Sequence, residues 1–106
     1  MRIGGWLAML VVVLVGGYAA WAASAPVTVE VKEFTFKPQS LTVAAGTTVT
    51  WRNGDEAPHT ITSTDGVFRS PALVSADRFS YTFTKPGTYH YFCQIHPTMR
   101  ADVVVR

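Results

Sequence analysis

Phe79-Ser80-Tyr81-Thr82-Phe83-Thr84-Lys85-Pro86-Gly87-Thr88-Tyr89-His90-Tyr91-Phe92-Cys93 is the stretch that decides the fold. Aromatic residues at 79, 81 and 83 alternate with small hydroxylic ones, which is the period of a half-buried strand. Lys85-Pro86-Gly87 follows as a turn signal, and Thr88 to Cys93 reads as strand again. The same pattern extends in both directions. Val27 to Lys32 alternates apolar and polar, and Leu41 and Val43 flank Thr42 before a turn at Gly46. Thr47 to Arg52 is β-branched and aromatic, with Val49 and Trp51 on one face. Asn53-Gly54-Asp55 is a strong turn signal. His59 to Ser63 reads as a strand closed by Asp65-Gly66, and Asp102 to Arg106 ends the chain. Ser70 to Asp77 carries no clear pattern. No segment beyond the N-terminal leader has a convincing helical period. Seven to eight short strands with regular turn signals predict an all-β, Greek-key β-sandwich.

An apolar segment precedes this domain. Arg2 is the only charged residue before Glu30, and Ile3 to Ala25 is almost wholly apolar. Trp6 to Val15 has the length of a signal-peptide core, and Ala20-Trp21-Ala22 fits the A-x-A cleavage pattern. The expectation is a signal peptide over residues 1–22 and a domain over 23–106. The alternative is an uncleaved membrane anchor over residues 3–25, long enough to cross a bilayer. Either places the domain outside the cytoplasm, in the periplasm or an equivalent compartment.

The chain has 106 residues and a formal charge of +2, with one Cys. That allows one small domain. Aromatic content of 12% and apolar content of 48% argue against disorder. A single cysteine excludes an internal disulfide framework and a four-cysteine zinc site. No basic run recommends a nucleic-acid partner. An exported domain of this size benefits from a staple, and a bound metal can serve. A lone thiol in an oxidising compartment also needs burial or a metal to protect it.

The chemistry concentrates in Cys93-Gln94-Ile95-His96-Pro97-Thr98-Met99, where thiol, imidazole and thioether recur at intervals of three. His59 follows Pro58 at the head of an earlier strand, and two strand ends of a sandwich can meet at one pole. Two His and one Cys with a weak axial Met form the ligand set of a blue-copper site. Thiolate and thioether are soft donors that suit Cu(I), and imidazole suits both oxidation states. His90 alternates with Tyr89 and Tyr91 and is expected on the surface. Trp51, Phe79, Phe83, Tyr89 and Tyr91 are expected in the core.

Trp51-Arg52-Asn53, Ala57-Pro58-His59-Thr60-Ile61, Gly87 to Cys93 and His96-Pro97-Thr98-Met99-Arg100 together resemble the cupredoxins. The nearest type is amicyanin, within the plastocyanin-like group, and the likeness covers roughly Val27 to Arg106. By position, His59, Cys93, His96 and Met99 match the family's four copper ligands. Three positions depart from the family pattern. Thr60 stands where the family often has an Asn that braces the ligand loop, Ile95 replaces a frequent Pro, and Ala101 replaces a frequent Gly. The resemblance implies one type 1 copper ion and His96 with its ring edge near the surface. Pro58, Ile95 and Pro97 would then form an apolar rim for docking.

The expected function is that of an exported type 1 copper protein shuttling single electrons through Cu(II)/Cu(I), not an enzyme. By family analogy its partners are a dehydrogenase donor and a c-type cytochrome acceptor, with the carrier itself monomeric. The alternative is a module that stores, delivers or senses copper, although no Met-rich or His-rich tract recommends it. A Cys–His hydrolase would leave Met99 unexplained. Zinc would leave its fourth position to water, since Met is not a usual zinc ligand.

Overall fold

Alternation along each segment dictates which face turns inward, and the computed structural model shows two sheets closing over those faces. It describes residues 25–106. The segment expected as a signal peptide, 1–22, lies outside the described residues, as does all but the last residue of the anchor alternative, 3–25. The strands are β1 (Val27–Lys32), β2 (Thr35–Lys37), β3 (Ser40–Val43), β4 (Thr47–Asn53), β5 (Thr62–Ser63), β6 (Arg78–Phe83), β7 (Gly87–Phe92) and β8 (Arg100–Val105). Among the described residues there is no helix.

One sheet has the order β2-β1-β4-β6 and the other β3-β8-β7-β5. Only the β1–β2 and β7–β8 connections stay within a sheet, and every other one crosses the sandwich. The crossings make β1 parallel to β4 and β3 parallel to β8. The predicted all-β sandwich is therefore the architecture observed.

β4 is the central rod. Thr47, Val49, Trp51 and Asn53 point inward and are buried, while the residues between them are half-buried. Trp51 is fully buried, stacked on Phe68 at 5.7 Å and edge-on to Tyr91 at 5.4 Å. Val29, Val31 and Phe83 complete this layer, opposed by Tyr91, Val103 and Val105. Burying each large apolar side chain contributes about 1.5–3 kcal/mol. Phe79 and Tyr89 pack against this core but are only partly buried. His90 lies on the outer face, exposed and hydrogen-bonded to Asp102.

Three segments differ from their sequence expectation. The strand expected over His59–Ser63 is regular only at Thr62–Ser63. His59 instead forms an isolated antiparallel bridge with Leu73, because this segment is crossing from one sheet to the other. The patternless Ser70–Asp77 region supplies that partner. The final strand begins at Arg100 and pairs with β7 along its whole length. β2 carried no clear signal, being three residues long and joined to β1 through Glu33-Phe34.

Candidate metal centre

The inward alternation of β4 ends on a polar residue, Asn53, which is fully buried. Its side-chain amide donates to the carbonyls of Ala57 and Leu73, both at 2.9 Å. Its Oδ1 accepts the Asp55 amide at 2.9 Å. Asn53 thus ties the strand end, the 54–58 turn and the Leu73 segment together. His59 is delivered from this frame, its backbone exchanging both hydrogen bonds with Leu73 at 3.0 and 2.8 Å.

The second part of the site follows β7. The Cys93 amide donates to the Met99 carbonyl at 3.1 Å, and the Met99 amide donates to the His96 carbonyl at 2.9 Å. These two bonds close residues 93–99 into a tight loop. The Thr60 hydroxyl holds it from the other side, accepting the Gln94 amide at 2.7 Å. The Thr60 amide donates to Cys93 Sγ at 3.4 Å. Thr60 therefore braces the loop of residues 93–99.

Cys93 Sγ lies 3.7 Å from His59 Nδ1 and 3.6 Å from His96 Nδ1. All three donor atoms fall within 4.8 Å of one another. Metal–nitrogen and metal–sulfur bonds of a first-row ion run about 2.0 and 2.3 Å, so one ion can bridge each such pair. Cys93 and His59 are fully buried, Met99 is 6% exposed, and His96 is half-buried. A soft thiolate with two imidazoles, on a loop that ends at the buried Met99, fits copper better than a hard cation.

The remote nitrogen of His59 is also accounted for. Nε2 sits 2.9 Å from Asp55 Oδ2. Burial works to raise the Asp55 pKa, but the amides of Phe34 and Glu33, and His59 itself, outweigh it and hold the carboxyl below its ordinary 3.8. An ionised carboxylate only accepts, so Nε2 carries the proton and Nδ1 keeps its lone pair for a metal. Sequence reading took Asp55 for a turn residue. Its position four before His59 was the available signal.

Pro58, Ile95 and Pro97, the residues expected to form an apolar rim, are all exposed, with Ile95 45% accessible, and His96 is half-buried. Sequence reading missed Phe34, which is half exposed and packs edge-on against both His59 and His96. Its spacing from Phe36 across Thr35 offers no sequence signal for that contact.

A family profile described as a cupredoxin-like domain matches residues 5–105. Amicyanin from Paracoccus denitrificans is 36% identical over 92 residues, covering 82% of this chain and 70% of that protein. Among solved structures, the Cu(I) form of an amicyanin variant superposes with a TM-score of 0.73 at 36% identity, covering 76% of this chain and 82% of that one. A copper-containing nitrite reductase from Thermus scotoductus gives 0.72 at 35% identity over 76% of this chain, which spans only 22% of the reductase.

Proposed function

The chain belongs to the cupredoxin-like family, and from that premise we propose that His59, Cys93, His96 and Met99 hold its copper ion. The protein is a type 1 copper electron-transfer protein of the amicyanin and plastocyanin kind. The ion, when bound, supplies the one-electron Cu(II)/Cu(I) couple. The observation that carries the ligand assignment is the convergence of one buried thiol and two imidazole Nδ1 atoms at a single pole.

The chain's own residues do the rest. Thr60 and the Cys93–Met99 and His96–Met99 backbone bonds hold the ligand loop in one shape. Asn53 and Asp55 fix His59. A prearranged set of donors moves little between oxidation states, which keeps the barrier to electron transfer low. Burial of Cys93 and His59 excludes water, and the half-buried His96 is the route toward a partner.

The protein exchanges electrons with redox partners and works outside the cytoplasm. We read its role as that of an electron carrier, which its likeness to amicyanin supports. The finer reading is a periplasmic monomer over residues 23–106, released from a signal peptide at 1–22, with residues 3–25 serving as the anchor if cleavage fails. A dehydrogenase donor and a c-type cytochrome acceptor complete that reading. Loading the purified protein with Cu(II) tests the ligand assignment: one equivalent should bind and give an intense thiolate-to-copper visible band. A folded, copper-loaded sample without that band would overturn it.

A further inference from the structure

His59 and His96 are held by different means. Asp55 hydrogen-bonds the remote nitrogen of His59, whereas among the described residues the His96 side chain has no hydrogen bond beyond its contact with Cys93 Sγ. What does touch the His96 ring is Phe34, edge-on at 4.9 Å and 87°. The same phenyl ring meets His59 at 5.1 Å and 90°, and the two imidazoles lie 5.0 Å apart. The three rings form one mutual contact at the mouth of the site.

The backbone that presents Phe34 is strained. Glu33 and Phe34 both have φ of 57°, a left-handed conformation that side-chain-bearing residues rarely adopt and that glycine would take freely. Two such residues in succession are what the two-residue hairpin loop between β1 and β2 requires, and Glu and Phe fill it at a cost that Asn-Gly would not carry. Asp55 clamps the turn in addition. Its Oδ1 accepts the Glu33 amide at 2.7 Å and its Oδ2 accepts the Phe34 amide at 2.9 Å. Oδ2 is also the partner of His59, so one carboxylate grips the turn and a ligand together.

We propose that Phe34 is a positioning residue for His96, pressed against its ring by the Glu33–Phe34 turn that Asp55 clamps. This rests on His59 and His96 being copper ligands. Swinging the His96 ring off the metal requires displacing a phenyl ring fixed through two backbone amides. Phe34 therefore retards departure of copper and entry of external ligands at the exposed side of the site.

The test uses the full domain in two forms. In the Cu(I)-loaded protein, transfer of copper to a coloured bidentate chelator should be about tenfold faster in Phe34→Ala, the factor expected from losing edge-to-face aromatic contacts. Phe34→Leu should recover part of that difference. In the metal-free protein, the ring-proton NMR signals of His96 should shift on Phe34→Ala, through loss of the phenyl ring current. Asp55→Asn should move the Phe34 and His96 signals as well as those of His59. A chelation rate within about twofold of wild type, in a Phe34→Ala protein with an unchanged urea midpoint, would overturn the positioning role. An Asp55→Asn protein whose Phe34 and His96 signals stay in place would overturn the clamp. Wild-type protein that fails to take up copper would instead sink the ligand reading, and the metal-free NMR arm would still report on Phe34.

Discussion

Thr60→Val separates bracing of the ligand loop from simple packing. Valine keeps the volume at a site only 7% exposed and leaves the Thr60 amide bond to Cys93 Sγ intact. It removes the acceptor of the Gln94 amide and the partner of the Thr62 hydroxyl, which lies 3.0 Å away. Stranding a buried polar group costs about 1–3 kcal/mol. Gln94 is an exposed residue, so water can replace part of its lost bond, whereas Thr62 is 6% exposed. The combined loss is therefore set at about 1–2 kcal/mol, toward the lower end of the cost of a stranded group. In a domain of this size that lowers Tm by roughly 5–15 °C. Urea unfolding of the metal-free protein is the assay, because bound metal would mask the change by stabilising the native state. The midpoint should fall with the slope unchanged. Thr60→Ser, which retains the hydroxyl, should lose far less. A Thr60→Val loss below about 0.5 kcal/mol, within the range of ordinary surface substitutions, would refute the reasoning. So would a serine variant as unstable as the valine one.

Three further substitutions probe the frame and the site. Cys93→Ser should abolish the intense visible band of the Cu(II) form while the sandwich stays folded by circular dichroism; a retained band would remove Cys93 from the ligand set. Asn53→Ala leaves the Ala57 and Leu73 carbonyls and the Asp55 amide without their partner, and urea unfolding should show a loss of about 2–3 kcal/mol. Gly54→Ala would place a Cβ 2.5 Å from Glu30 Oε2 and 3.1 Å from the Val31 carbonyl. It should displace Glu30 from Arg52 and cost about 1–3 kcal/mol by overpacking, with an unchanged midpoint counting against that crowding.

Much of this was legible along the chain because the controlling signals are local. Period-two alternation in β1, β4, β6 and β7 comes from the pleat of each strand, and neighbours along the chain report it. The C-x-x-H-x-x-M run is likewise local, since one short loop carries three of the four proposed copper ligands. His59 was legible from its Pro58 neighbour and the resemblance of its segment. The limits of β5 were not. Residues 59–61 have strand composition, but whether they pair depends on what lies beside them, and there the chain is changing sheets. β2 was missed because three residues are too few to display a period.

Sequence by itself determined the class of fold, the donor types and their spacing, because these depend on side-chain chemistry and residue alternation. The tertiary structure decided how those donors are held. Asp55 reads as a turn residue until folding sets its carboxylate against His59 Nε2 and the Glu33 and Phe34 amides, which lie 22 and 21 residues away. Phe34 reads as an ordinary exposed aromatic near Phe36 until the sandwich closes and lays its ring on two imidazoles. Thr60 and Gln94 are 34 residues apart, and their bond exists only where the two sheets meet at the pole. Contacts between distant segments depend on the geometry of the closed sandwich, and no local pattern encodes them.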